Sequence, residues 1–566
     1  MFLNPLPSHF TIPVPNTPRN WLYLLVLCYA LSRLLRRSYT RARSPLRDIP
    51  GPPAESWFTG NLGQLFTAKG LPFHHSLVSQ YGGLVKVHGF FGDEQLYISD
   101  PRALQSILVK EQDAFEETGV FVETNKVIFG PGLVSTTGAF HKRQRKLTLP
   151  IFSLNNLREL VPTLYDVADR LSDVLARETQ AADVLDMSEW MSRASLEAAG
   201  QAILGYSFDP LDSRVNNAYT QAIRELIPTI FKLSLIRQLA PFLVRLGPAW
   251  LRRLLVNCTP IPAVQRLKEM SDVMHASAVA ILEKARQGLR DADAGGDRQG
   301  KGKAKDITSL LLRANENAGD AEQMSDAELT GQMTVMIFGA QDTSTSALTR
   351  ILYMLATRPD VQDRIRSEIK QMQLQDGGER LTVEQMNALP WLDAVIKETL
   401  RLYPPVPFVR RTAVEERIIP YLLPSGAEDA VRIPRGTTLF LGIAGANRMK
   451  CVWGEDAADW KPERWLGIGV GERGRGEKER LPGVYSGMMS FLGGKRACIG
   501  YKFAEIEIKI FLTTLLRRFE FSTTGTQGNE IVWNLSQIIS PSVRVVRDGK
   551  VCEEKGLPLR VRMVTD

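Results

Sequence analysis

The chain has 566 residues, 44% apolar and 23% charged, so it has the make-up of a folded globular protein with ample length for a large core. Its five cysteines form no C-x-x-C pair, which argues against a disulfide scaffold or a cysteine-based zinc site. The net charge of +8 is diffuse and lacks a basic-aromatic pattern, so an acidic protein or an anionic lipid surface fits better than nucleic acid.

After an N-terminal segment 1–20, the stretch 21–37 contains the apolar run Trp21 to Leu35. That run is short of the ~20 residues that usually span a bilayer. Arg33 near its end and Arg36, Arg37, Arg41, Arg43 and Arg47 after it give the order of a signal-anchor with the rest of the chain cytoplasmic. The stretch 38–53 is basic and ends in Ile49-Pro50-Gly51-Pro52-Pro53, a stiff hinge that cannot continue a helix. Residues 54–566 show no second boundary and read as one large domain. Helical periodicity covers 154–180, 186–204, 261–288, 325–357, 359–373, 383–402 and 500–519. Ser325 and Glu328 form a capping box for the fourth of these. A further helix is expected around Lys142, Arg143 and Lys146. Glycine and charge mark Arg286 to Asp306 as a surface loop. Strand-like runs are short: 84–89, 95–98, 431–432, 438–441 and 542–546. The expected class is therefore mainly α with small β-sheets.

Chemistry concentrates around Cys498. Residues 491–500 read FLGGKRACIG and match F-x-x-G-x-R-x-C-x-G at every specified position. Gly494 and Gly500 let the backbone turn tightly and approach a flat ligand. The helix starting near Gly500 presents its positive end to a thiolate. Phe491 would shield the sulfur from water, and Arg496 can neutralise an acidic group. Further upstream come Gly339-Ala340-Gln341-Asp342-Thr343-Ser344, then Glu398 and Arg401 in an E-x-x-R spacing, then Pro462-Glu463-Arg464-Trp465.

These motifs, in this order, resemble the cytochrome P-450 family of haem-thiolate monooxygenases from about Pro50 to the C-terminus, and most of all its fungal microsomal members. The resemblance implies haem b with iron held by the Cys498 thiolate, whose electron donation favours O–O cleavage. Asp342 and Thr343 would be the acid and hydroxyl that deliver protons during oxygen activation. Ala340 departs from the family pattern, where glycine is commoner, and its methyl would narrow the oxygen groove. Arg145, Arg496 and Arg411 would hold the haem propionates, with Arg410 a close competitor of Arg411. His141 stands where the family usually has tryptophan and would donate an N–H to the same group. Glu398, Arg401 and Arg464 would form a buried charge triad that sets registry and does no chemistry.

No flavin or nicotinamide motif is present, so the resemblance implies O2 and electrons from NADPH through a separate NADPH-cytochrome P-450 reductase. Lys142, Arg143 and Lys146 would form its docking face. The expected pocket includes Phe121, Val122, Phe129, Phe338, Val406, Phe408 and Ile538, which suits a lipophilic substrate. The implied reaction is hydroxylation, or successive oxidation, in fungal secondary metabolism such as terpenoid tailoring, at the endoplasmic reticulum membrane behind a single-pass anchor. Peroxide isomerase or dehydratase chemistry, and haem sensing, are the competing readings; Asp342 and Thr343 argue against both.

Overall fold

The computed structural model describes residues 43–212, 218–294, 306–376, 378–423, 425–467, 480–525, 530–547 and 550–564. The chain divides into two units, Met1–Ile49 and Pro50–Asp566. The expected anchor at 21–37 lies outside the described residues. Among the described residues no helix is long and apolar enough to cross a membrane.

Helices dominate the second unit. Those that build the site are α1 (Leu71–Tyr81), α2 (Gly119–Phe129), α3 (Gly138–Thr148), α4 (Leu154–Ala181), α5 (Met187–Leu204), α6 (Ala218–Lys232), α7 (Pro262–Ala294), α8 (Asp326–Thr357), α9 (Pro359–Asp376), α10 (Pro390–Leu402) and α11 (Tyr501–Arg518). The Ser325 side chain accepts from the Glu328 N–H while Glu328 accepts from the Ser325 N–H, so the expected capping box starts α8. The helix ends where Pro359 forbids the α conformation at Arg358. Along α8, Leu329, Met333, Ile337, Leu348, Ile351 and Leu355 are buried, and the helix packs against α5, α7 and α11.

Two expectations are corrected. The single helix over 383–402 is two, Val383–Asn387 and α10, because Leu389 is extended and Pro390 restarts the helix at its first turn. The expected loop Arg286 to Asp306 is helical as far as Ala294. Gln287 donates to Asp291 four residues on, and Arg286 pairs with Glu283 and with Asp326. Such pairs stabilise a solvated helix that carries little apolar periodicity.

The main sheet contains β1 (Leu84–His88), β2 (Glu94–Ile98), β3 (Phe115–Glu116), β4 (Val409–Ala413) and β5 (Thr438–Leu441) in the order β1-β2-β5-β4-β3. Only the β2–β5 pair is parallel. Its buried Val85, Val87, Tyr97 and Phe440 pack with Leu62, Leu65 and Leu77, and Phe66 and Phe408 lie against this cluster. A second sheet joins β6 (Glu530–Ser536), β7 (Ile538–Arg547) and β8 (Lys550–Lys555). The class is mainly α with small sheets, as the sequence implied.

Candidate active site

The segment before α11 is held in a shape that only glycine permits. Gly494 has φ +69°, and a Cβ there would lie 1.7 Å from the Leu108 carbonyl oxygen. At Gly493 a Cβ would lie 2.0 Å from the Pro482 oxygen. The Cys498 N–H donates to the Phe491 carbonyl at 2.9 Å, closing the loop. The Phe491 ring packs edge-on against Tyr485 at 5.3 Å and beside Tyr501 at 6.1 Å. Cys498 itself is accessible, yet protein surrounds it closely. Burial pushes its thiol above the usual range, while the Gly500 N–H and the Arg145 charge favour the thiolate.

Basic groups converge on this thiol. His141 and Arg145, four residues apart on α3, share one helical face. Arg145 lies close enough to Cys498 and Arg496 to feel both charges. His141 is buried, and burial together with Arg496 and Arg145 pushes its imidazole down to about 3, so it is neutral with a single N–H to donate. Arg496 donates to the Thr136 carbonyl at 2.8 Å and pairs with Glu116 at 3.2 Å, leaving its buried Nε without a partner.

Strand alternation separates Arg410 from Arg411. Arg411 is 1% exposed, pairs with Glu117 at 2.7 Å and feels Arg496; its buried Nη2 has no partner. Arg410 turns the other way, over the Phe66 ring at 5.2 Å and into a cavity. The arrangement fits haem. The accessible thiol could meet the iron, and orphaned buried guanidinium atoms, costly when unpaired, are suited to its two carboxylates.

The cavity that Arg410 enters, about 280 Å³, is largely apolar. Phe121, Phe129, Phe338, Val406, Phe408 and Ile538 line it, as expected; Val122 does not. Thr343 and Gly339 form part of its α8 wall, and the Thr343 hydroxyl donates to the Gly339 carbonyl at 2.5 Å. Glu117 also lines this cavity, so its pair with Arg411 joins the cavity to the arginine cluster.

Asp342, one residue earlier, opens instead onto a second cavity of about 260 Å³ with Ser192, Glu189, Arg224, Ser346 and Lys555. Burial pushes the Asp342 carboxyl up to about 6, with Lys555 opposing. Ile227 and Ile538 border both cavities. Acid and hydroxyl are thus neighbours in sequence that face different chambers.

Glu398 accepts two 2.8 Å bonds from Arg401, one of 3.3 Å from Arg464 and one of 2.9 Å from Trp465 Nε1, and both partners of the first pair are fully buried. This is the expected triad, with a tryptophan added. Of the expected docking face, Arg143 pairs with Glu328 and Lys146 with Glu322, while Lys142 is exposed.

Sequence reading missed Glu507 on α11, fully buried, which accepts from the Ser344 hydroxyl at 2.6 Å. Its signal was an acid set between Ile506 and Ile508 in an apolar helix. It also missed Arg237, Gln238 and Asn125, which line the first cavity.

Residues 50–545 match the family model for Cytochrome P-450. The chain is 40% identical to cytochrome P-450 monooxygenase 212 of Postia placenta, over 92% of this chain and 96% of that protein. It is 41% identical to cytochrome P-450 monooxygenase 91 of the same fungus, over 92% and 95%. It is 38% identical to a ganoderic acid synthetase of Ganoderma lucidum, over 88% and 92%.

Proposed function

The chain belongs to the cytochrome P-450 family and is a monooxygenase of it, and from that premise we propose that it hydroxylates a lipophilic organic substrate, with fungal secondary metabolism such as terpenoid tailoring as its setting. The balance is RH plus O2, two electrons and two protons giving ROH plus water; repeated turns give successive oxidation. The observation that carries the reading is the apolar cavity walled by Thr343 and joined through Glu117 to the arginine cluster around Cys498. The name of the Ganoderma lucidum relative supports the setting.

Cys498 would ligate the haem iron, and Arg145, Arg411, Arg496 and the His141 N–H would hold the propionates. Bound there, haem supplies the one-electron chemistry that activates dioxygen, tuned by the thiolate. Phe491 and the turns at Gly494 and Gly500 would hold the sulfur in place, and Phe491 would shield it once haem covers its open side. The apolar walls orient the substrate and exclude water. Asp342 draws protons from the polar chamber and passes them toward the Thr343 hydroxyl. Electrons come from NADPH through a separate flavoprotein reductase, with Lys142 on the docking side. The domain sits at the cytoplasmic face of the endoplasmic reticulum. The apolar run 21–35 supports this, as do the exposed Trp57, Phe242, Trp250 and Leu254.

The test is the carbon monoxide difference spectrum of the reduced protein beside Cys498→Ser. A strongly red-shifted Soret band, lost in the variant, is the expected result. A band typical of histidine-ligated haem in folded, haem-loaded protein would overturn the reading.

A further inference from the structure

The cavity walled by Thr343 has apolar walls broken by a cationic cluster. Arg237 and Arg410 both line it, and Arg237 feels the charge of Arg410. Among the described residues Arg410 reaches only Gln238 Oε1, at 3.5 Å, besides the faces of Phe66 and Phe440. Arg237 keeps a buried Nε with no partner, and Asn125, 8% exposed on the same cavity, keeps a buried Nδ2 with none. Among the described residues neither arginine has a carboxylate within ion-pair distance. Glu117, the acid that Arg410 feels, is already held by Arg411 at 2.7 Å. Burial and the neighbouring charge push Arg237 down to about 10; burial pushes Arg410 to about 10 as well.

Two guanidiniums sharing a desolvated wall without a counter-charge are costly. Natural cores pair such groups or replace them, so their persistence in a ligand cavity points to an anion that arrives with the ligand. A carboxylate matches the planar donor forks of two arginines. The remaining walls are hydrocarbon.

We propose that Arg237 and Arg410 form an anion subsite, so the substrate is a lipophilic carboxylic acid whose carboxylate bridges the two guanidiniums while its skeleton lies along the apolar walls toward Thr343. This rests on reading the cavity as the substrate chamber of a monooxygenase. Asn125 offers a further N–H to an oxygen of the bound molecule.

The experiment titrates the haem-loaded enzyme and follows the Soret shift. The probes are three acids, each beside its methyl ester: hexadecanoic, dehydroabietic and oleanolic. At least one acid is expected to bind about tenfold or more tightly than its ester, a preference lost in Arg237→Gln/Arg410→Gln while ester affinity stays within about twofold. Equal binding of acids and esters, or a preference that survives the double substitution, overturns the proposal. Thermal melting of the ligand-free haem-loaded enzyme decides the case independently of the skeleton. Each single Gln substitution removes an uncompensated buried charge and is expected to hold or raise Tm. A fall in Tm would show arginines that brace the fold and would overturn the subsite. The carbon monoxide spectrum of the same variants reports on the haem-thiolate reading separately, and an intact band with no acid preference removes the subsite alone.

Discussion

The Ser344 hydroxyl donates a 2.6 Å hydrogen bond to Glu507 Oε2, tying the middle of α8 to the helix that starts just beyond Cys498. The second oxygen of Glu507 is buried without a partner, and burial pushes the carboxyl from 4.5 up to about 8. Glu507 is therefore protonated at neutral pH. A carboxyl raised by folding gives stability that is full below its unfolded value and is lost as pH rises toward its folded value. Glu507→Gln keeps the neutral shape and is expected to flatten the fall in stability between about pH 5 and pH 8. Urea unfolding across that range checks it, and equal slopes in both proteins would remove the assignment.

Glu398 behaves in the opposite sense. Burial alone would raise its carboxyl, but Arg401, the Lys461 N–H and Trp465 overcome that and hold it below the usual range. Its contribution is present above an unfolded value of 4.5 and is lost as pH falls. Glu398→Gln leaves the fully buried Arg401 without a counter-charge, while Arg464 keeps Asp456 at 3.0 Å. The expected loss is about 3 to 5 kcal/mol at neutral pH, read from the urea midpoint at constant slope. A loss below about 1 kcal/mol would mean that the carbonyls of Asn447 and Ala457, which also accept from Arg401, suffice to hold it.

Legibility in the sequence followed the range of the cause. Long helices with 3.6-residue periodicity and a local cap, such as α8, were readable because both signals lie within the element. The cysteine segment was readable because its shape is enforced by its own glycines. Arg410 and Arg411 could not be separated, since only the pairing of Arg410 with Phe440 across β4 and β5 decides which side each faces. Glu507 carried a local sign, an acid between two isoleucines, but its role was not legible because its partner Ser344 lies on a helix far away in sequence. The split at Pro390 was a local signal overlooked, as the apolar periodicity runs through it. The helical part of the expected loop reflects charge pairing, to which an apolar-periodicity reading is blind.

Gly494→Ala tests the cysteine segment directly. A Cβ would meet the backbone oxygen of Leu108 at 1.7 Å, and φ of +69° disfavours any side chain. Backbone cannot swing away as a side chain can. The expected cost is about 2 to 4 kcal/mol, with loss of haem retention, measured by melting and by the ratio of Soret to protein absorbance. An alanine variant that loads haem normally would show that the turn is softer than its close contacts indicate.

Asp342 and Thr343 succeed one another on α8, about 100° apart around its axis, which is why one opens onto the polar chamber and the other onto the apolar one. Protons drawn from the polar side must therefore pass around the helix to reach Thr343. Asp342→Asn removes the exchangeable carboxyl and is expected to slow coupled product formation about 100-fold. Thr343→Ala is expected to keep NADPH consumption while product per NADPH falls. Lys555 opposes the burial that pushes Asp342 up to about 6. Lys555→Met withdraws that positive charge, so the Asp342 carboxyl rises further. The matching limb of the pH profile should then move upward from about 6, while the Thr343→Ala profile stays unmoved by the same change. The measurement is product per NADPH against pH in the single and paired variants with a reductase. A limb that does not move in Lys555→Met, with Asp342→Asn fully coupled, would place the proton source elsewhere on the chain.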